Sequence, residues 1–244
     1  MNKILTFFLL LLCVLPVFAA ETNNDRINKA ASFYGKGDYN ESIKEYEIMI
    51  MQGLYNPYIF HNLANAYYKT GDIGRASLNT ERALRLAPRD KDIRYNRKLL
   101  AELAKEPEPN TAEFIIQEMS FLVSLNEITV ITSALFMFLC LCFGLYCLKK
   151  QKIFFKGVIL FSALFALSGV LFYVKFNEEY IMREAVILTD TPVRNKPIKT
   201  EETAFEVYAG RKVVILSELG KWVNVKLLLD GFSGWIDKNS LEII

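Results

Sequence analysis

The sequence predicts a multidomain membrane protein made of three kinds of structure: an all-α helical repeat, a two-helix transmembrane hairpin and a small all-β barrel at the C-terminal end. Three observations carry this expectation. Two charge-free apolar runs, 128–148 and 157–174, are separated by a short basic stretch. Ahead of them a glycine–aspartate pair recurs, as Gly37-Asp38 and Gly71-Asp72. Behind them, from Ala185 onward, the composition turns to β-branched alternation.

The 244 residues are 52% apolar, and that content is concentrated in a few runs, which argues for separate modules rather than one core. A formal net charge of +2, with no Lys/Arg stripe interleaved with aromatics, argues against a nucleic-acid partner. Cys13, Cys140, Cys142 and Cys147 all sit in apolar segments, so the soluble parts have no disulfide framework. No Cys/His spacing fits zinc, and no cofactor is expected.

Residues 1–20 have the three-part grammar of a secretory signal: basic Lys3, an apolar run from Ile4, and small Ala19 and Ala20 before polar Glu21. An uncleaved anchor is the alternative. Either one leaves residue 21 onward outside the cytoplasm.

Within 21–105, Gly37-Asp38-Tyr39 and Gly71-Asp72-Ile73 lie 34 residues apart. The second copy carries Phe60, Leu63, Ala64, Tyr67, Gly71, Ala76, Thr80, Ala83 and Pro88 at spacings that closely resemble the tetratricopeptide repeat (TPR) family. The first copy is more degenerate, with Ser42 and Met49 where alanine is usual. Small Ala64 and Ala76 let two antiparallel helices approach, Gly71 ends the first helix and Pro88 stops the second. Ile93, Leu99, Leu100 and Leu103 then mark a capping helix.

The resemblance implies a concave face carrying His61, Asn65, Tyr68 and Lys69, with Arg94 or Arg97 from the cap nearby. Such a face would hold an extended peptide or partner helix, Asn65 bonding backbone and Lys69 or Arg94 pairing with a carboxylate. The alternative is a solvated helix face. His61, the only histidine, has no acidic or thiol neighbour in the sequence and reads as a packing or surface residue.

Residues 106–126 form a linker. Glu106-Pro107-Glu108-Pro109 is a stiff spacer. Asn110 and Glu113 have capping-box spacing, and Phe114, Ile115, Met119, Leu122 and Val123 fall largely on one side. This piece is either an interfacial helix or the tilted start of the first span. The spans are placed at 127–148 and 157–176, each matched to a hydrocarbon core of roughly 30 Å. The loop at 149–156 holds Lys149, Lys150, Lys152 and Lys156 and is expected in the cytoplasm. Both soluble modules then face outward from a bacterial inner membrane. Ser162, Ala166 and Gly169 form a small-residue row suited to close helix packing. Neither span has an ionisable residue in its interior, which argues for an anchor rather than a channel or transporter.

In 181–244, five strands are expected at 185–188, 204–207, 211–216, 222–229 and 234–236, with a turn at Pro192. The order Val193-Arg194, Gly210, Val213-Val214-Ile215-Leu216, Gly220, Trp222, Val225, Asp230-Gly231 and Gly234-Trp235-Ile236 resembles the bacterial SH3-like domain. Trp222 and Trp235 read as core or rim residues, or as the lining of a site for a peptide or a cell-wall strand.

The full domain order, with ERALRLAPRD at 81–90 and DIRYN at 92–96, resembles the BatE-type proteins of the bacterial Bat aerotolerance operon. The resemblance rests on architecture, not on a catalytic motif. It implies partners among von Willebrand-type membrane proteins and a MoxR-type ATPase, in oxidative-stress tolerance or envelope assembly. There is no phosphate-binding glycine loop, HExxH, or Ser/His/Asp set, and Glu178-Glu179 and Glu201-Glu202 read as exposed charge clusters. The expectation is a non-enzymatic scaffold in contact with membrane lipid and with other envelope proteins. The rival is an envelope sensor or cell-wall-binding protein.

Overall fold

The computed structural model describes residues 24–177 and 182–244; the expected signal at 1–20 lies outside them. Eight helices come first: α1 (24–36), α2 (Tyr39–Met51), α3 (Pro57–Thr70), α4 (Ile73–Leu86), α5 (Lys91–Leu103), α6 (Thr111–Leu122), α7 (Leu125–Lys149) and α8 (Lys152–Phe176). Seven strands follow: β1 (Glu184–Ile187), β2 (Thr191–Arg194), β3 (Thr203–Val207), β4 (Lys212–Leu219), β5 (Trp222–Leu227), β6 (Ser233–Asp237) and β7 (Leu241–Ile243).

Helices α2 to α5 each pack on the next, joined by short turns. Gly71 caps α3 at φ 83°, and Gly37 holds φ 85° one repeat earlier, a left-handed conformation that costs side-chain-bearing residues more. Asp72 caps α4 by accepting from the Arg75 N–H, and Asp90 caps α5 by accepting from the N–H groups of Asp92 and Ile93. Ala30, Tyr46, Met49, Leu63, Ala66, Ala76 and Leu100 make the core. Both departures of the first repeat are fully buried, and the Ser42 hydroxyl donates to the Ala30 carbonyl at 2.9 Å.

Helices α7 and α8 have 25 residues each, with mean hydropathies of 2.4 and 2.3. At 1.5 Å per residue each is about 37 Å long, enough to cross a membrane. They form an antiparallel hairpin in which Tyr146 meets Phe155, Phe138 meets Phe161 and Phe136 meets Phe165. The connection is only Lys150 and Gln151, shorter than the loop expected at 149–156, because α8 starts early enough to include Lys152 and Lys156. Ser162 and Ala166 are exposed and a side chain at Gly169 would touch nothing, so the small-residue row faces away from α7. Close approach falls instead at Gly157, where a Cβ would stand 3.0 Å from Cys142 Sγ.

The strands form one antiparallel sheet in the order β3-β2-β6-β5-β4-β1-β7. Two strands exceed the expectation. Pro192 lies inside β2, where its missing N–H is tolerated because β2 pairs with β6 only at Arg194. Strand β7 has three residues, too few for alternation to register. Every strand sends a side chain into one buried cluster that includes Ala185, Val193, Val207, Val213, Val223, Ile236 and Leu241. A flat sheet could not do this, so the sheet curls around its core.

Strand β1 is buried on both faces because it also packs against α4. Helix α4 meets the sheet along Gly74, Ser77, Glu81 and Arg85, a stripe at helical spacing.

Candidate functional site

A groove of about 240 Å³ opens on the helical module between α1, α3 and α5. Helix α3 supplies Asn65, Tyr68 and Lys69, which share a face because they are three and four residues apart. Helix α5 supplies Asn96 and Leu99 from the opposite wall. The Asn96 side-chain amide donates to Asn65 Oδ1 at 2.6 Å, leaving the Asn65 amide N–H groups for another acceptor. Lys69 lies 6.0 Å from the centroid of the exposed Tyr68 ring, with no carboxylate partner among the described residues. An ammonium, an amide and an aromatic face in one groove can hold a backbone carbonyl or a carboxylate.

Three of the four α3 residues expected on the concave face therefore meet in it, and Asn96 joins them where Arg94 or Arg97 was expected. His61 is directed toward the start of α5. Burial lowers its pKa, opposed by Asp90 and Asp92, and its Nδ1 is buried without a hydrogen-bond partner among the described residues. Arg94 turns to α6, pairing with Glu118 and stacking on the Phe121 ring at 4.9 Å. Arg97 points into the junction with the β module.

That junction is a chain of alternating charges. Arg97 stands 3.5 Å from Glu106 and 3.3 Å from Glu81. Lys212, from β4, reaches Glu81 at 3.3 Å and Glu184 at 2.9 Å, and Arg85 pairs with Glu184 at 3.0 Å. Burial alone would raise the Glu81 pKa, but Lys212 and Arg97 reverse this and hold it below the usual carboxylate range. For Glu106 burial prevails, and its pKa rises despite Arg97. Arg82 and Arg85 extend the contact to the chain end, donating to the backbone carbonyls of Ile243 and Ile244, each at 3.0 Å.

No protein-family model matches this chain. No curated protein sequence matches it either.

On the β module, Trp222 is 7% exposed, with the Arg194 guanidinium 5.5 Å and the Lys221 ammonium 6.0 Å from its ring. Trp235 is half-buried, and its cross-strand neighbours are Arg194 and Asn224. Since Val193, Val223 and Ile236 fill the core, alternation puts Arg194, Trp222, Asn224 and Trp235 together on the outer face. Among the described residues no group of three His, Cys, Asp or Glu side chains is arranged to hold a metal ion.

Sequence reasoning missed Asn96, Arg194 and the whole junction. Its signal was present in the polar residues Ser77, Asn79, Thr80 and Glu81, which are buried in α4.

Proposed function

We propose that this chain is a membrane-anchored protein–protein interaction scaffold, in which a TPR-type helical module and an SH3-like β module are displayed outside the cytoplasm and held by a two-span anchor. The observation that carries the reading is the open groove in which Asn65, Tyr68, Lys69 and Asn96 converge while the other predicted cations are spent on internal pairs. The junction along α4 supports it, because it fixes the groove and the β module at a set distance. The antiparallel hairpin supports it too, since both of its outer ends emerge at one end. The resemblance to BatE-type proteins extends the reading to partners among von Willebrand-type membrane proteins and to aerotolerance or envelope assembly.

A photo-crosslinking residue at Tyr68, in the full chain in native membranes, tests the groove. The expected result is a discrete protein adduct that Lys69→Glu abolishes while expression and thermal unfolding stay unchanged. Adducts no stronger than those from the exposed position Tyr55 would overturn it.

The half-buried Trp235, in register with Arg194, which in turn stands over the Trp222 ring, favours a second reading, a wall- or peptide-binding β module. Co-sedimentation with purified cell wall that is lost in Trp235→Ala and kept in Lys69→Glu would select that reading over the first.

A further inference from the structure

A cavity of about 500 Å³ lies between α5, α6 and the linker before α6, apart from the groove. Lys91, Arg94, Tyr95 and Lys98 line it from α5 at positions i, i+3, i+4 and i+7, a single stripe of that helix. Its far wall is Phe114 and Phe121 of α6. Arg94 is committed to Glu118 and the Phe121 ring, whereas Lys91 and Lys98 have no ion-pair partner among the described residues. Two carboxylates also line the cavity: Glu118 is taken up by Arg94, and the exposed Glu108 opposes Lys91 and Lys98, so the rim stays cationic above an aromatic floor.

The cavity is also fixed in place. Helix α6 runs into the apolar helix α7 after only Val123 and Ser124, and Arg89 ties this corner to Glu127 in the first turn of α7. Helix α6 leaves Phe114, Ile115 and Leu122 between 51% and 61% exposed, and Tyr95 of α5 is 69% exposed. In water these side chains are an apolar cost. Beside a bilayer they are where aromatic and aliphatic residues settle.

We propose that this cavity binds the headgroup of an anionic phospholipid, its phosphate between Lys91 and Lys98 and its first chain carbons along Phe114 and Phe121. The site rests on the reading of α7 and α8 as membrane spans. It makes the helical module lie against the membrane surface, held by lipid composition as well as by the spans.

The test uses the full chain reconstituted in nanodiscs of phosphatidylcholine with a minor fraction of phosphatidylglycerol, then released for native mass spectrometry. The expected result is one phosphatidylglycerol retained per chain. Retention should weaken about 30-fold in Lys91→Gln/Lys98→Gln, two membrane-facing charges at their usual worth, and strengthen in Glu108→Gln. The substituted residues are exposed, and an unchanged thermal transition establishes that the variants fold. Equal retention by wild type and the double variant would overturn the site while leaving the spans intact. Failure of the chain to float with vesicles would overturn both. Full displacement by millimolar inorganic phosphate would overturn the lipid assignment in favour of a soluble anion.

Discussion

Lys212 and Glu81 are 131 residues apart in the chain, yet the ammonium of the first stands 3.3 Å from a carboxylate oxygen of the second. Their side chains are 19% and 11% exposed, so the pair joins α4 to β4 largely out of water. Glu184, at 8% exposure, leans on the same ammonium. The apolar hairpin is inserted between the two modules in sequence, but their contact does not pass through it.

Lys212→Met should destabilise the junction by about 3 kcal/mol, because it leaves Glu81 and Glu184 facing each other without their shared cation. The measurement is thermal unfolding in detergent, with amide exchange to locate the loss in α4, β1 and β4. Adding Glu184→Gln should recover part of it by removing one of the two facing charges. A Lys212→Met protein as stable as wild type would show that the charge chain is ornamental.

At Gly74 the backbones of the two modules come close together, since a Cβ there would sit 2.2 Å from the Leu188 carbonyl oxygen. In a solvated helix interior Gly→Ala gains about 1 kcal/mol. Here the sign reverses, because the obstacle is backbone and cannot rotate away. Gly74→Ala should lower the melting temperature and speed exchange in β1 while leaving the hairpin unaffected. A more stable Gly74→Ala protein would mean that the modules separate readily in solution.

The two perturbed carboxylates of the junction give pH dependences of opposite sign. Glu81 has a lowered folded pKa, so its contribution is present above the unfolded value, about 4.5, and is lost as pH falls through the folded value. Glu106 has a raised folded pKa, so its contribution is full below the unfolded value and is lost as pH rises through the folded one. On acidification from neutral pH, stability should first rise as Glu106 takes a proton, then fall as Glu81 does. Glu106→Gln should remove the rise and keep the fall, as read from melting temperatures between about pH 2 and 8.

The repeat, the hairpin and the β module were legible because each rests on local periodicity: Gly37 and Gly71, the two apolar runs, and the alternation around Val213 and Val223. The capping box at Asn110 and Glu113 was legible for the same reason, and both of its hydrogen bonds form. Arg97 was not. Helical spacing puts it near Arg94, but which neighbour it meets depends on Glu81 and Glu106, from different segments. Strand β2 was hidden because Pro192 signals a turn unless the neighbouring strand's limited pairing is known. Asn65, Tyr68 and Lys69 were legible as a set because one helix face carries all three.

Ser42 separates family pattern from local chemistry. The tetratricopeptide pattern that the sequence resembles favours alanine there, so pattern alone makes Ser42→Ala neutral or stabilising. In the fold the residue is fully buried, and its hydroxyl is a donor to the Ala30 carbonyl, pinning α1 to α2. Removing the hydroxyl deletes that bond and leaves a small void between two close helices. The expected cost is about 1 kcal/mol, seen as a melting temperature a few degrees lower and faster exchange in α1. If Ser42→Ala instead melts higher than wild type, close helix approach outweighs the hydrogen bond, and the first repeat is held by packing alone.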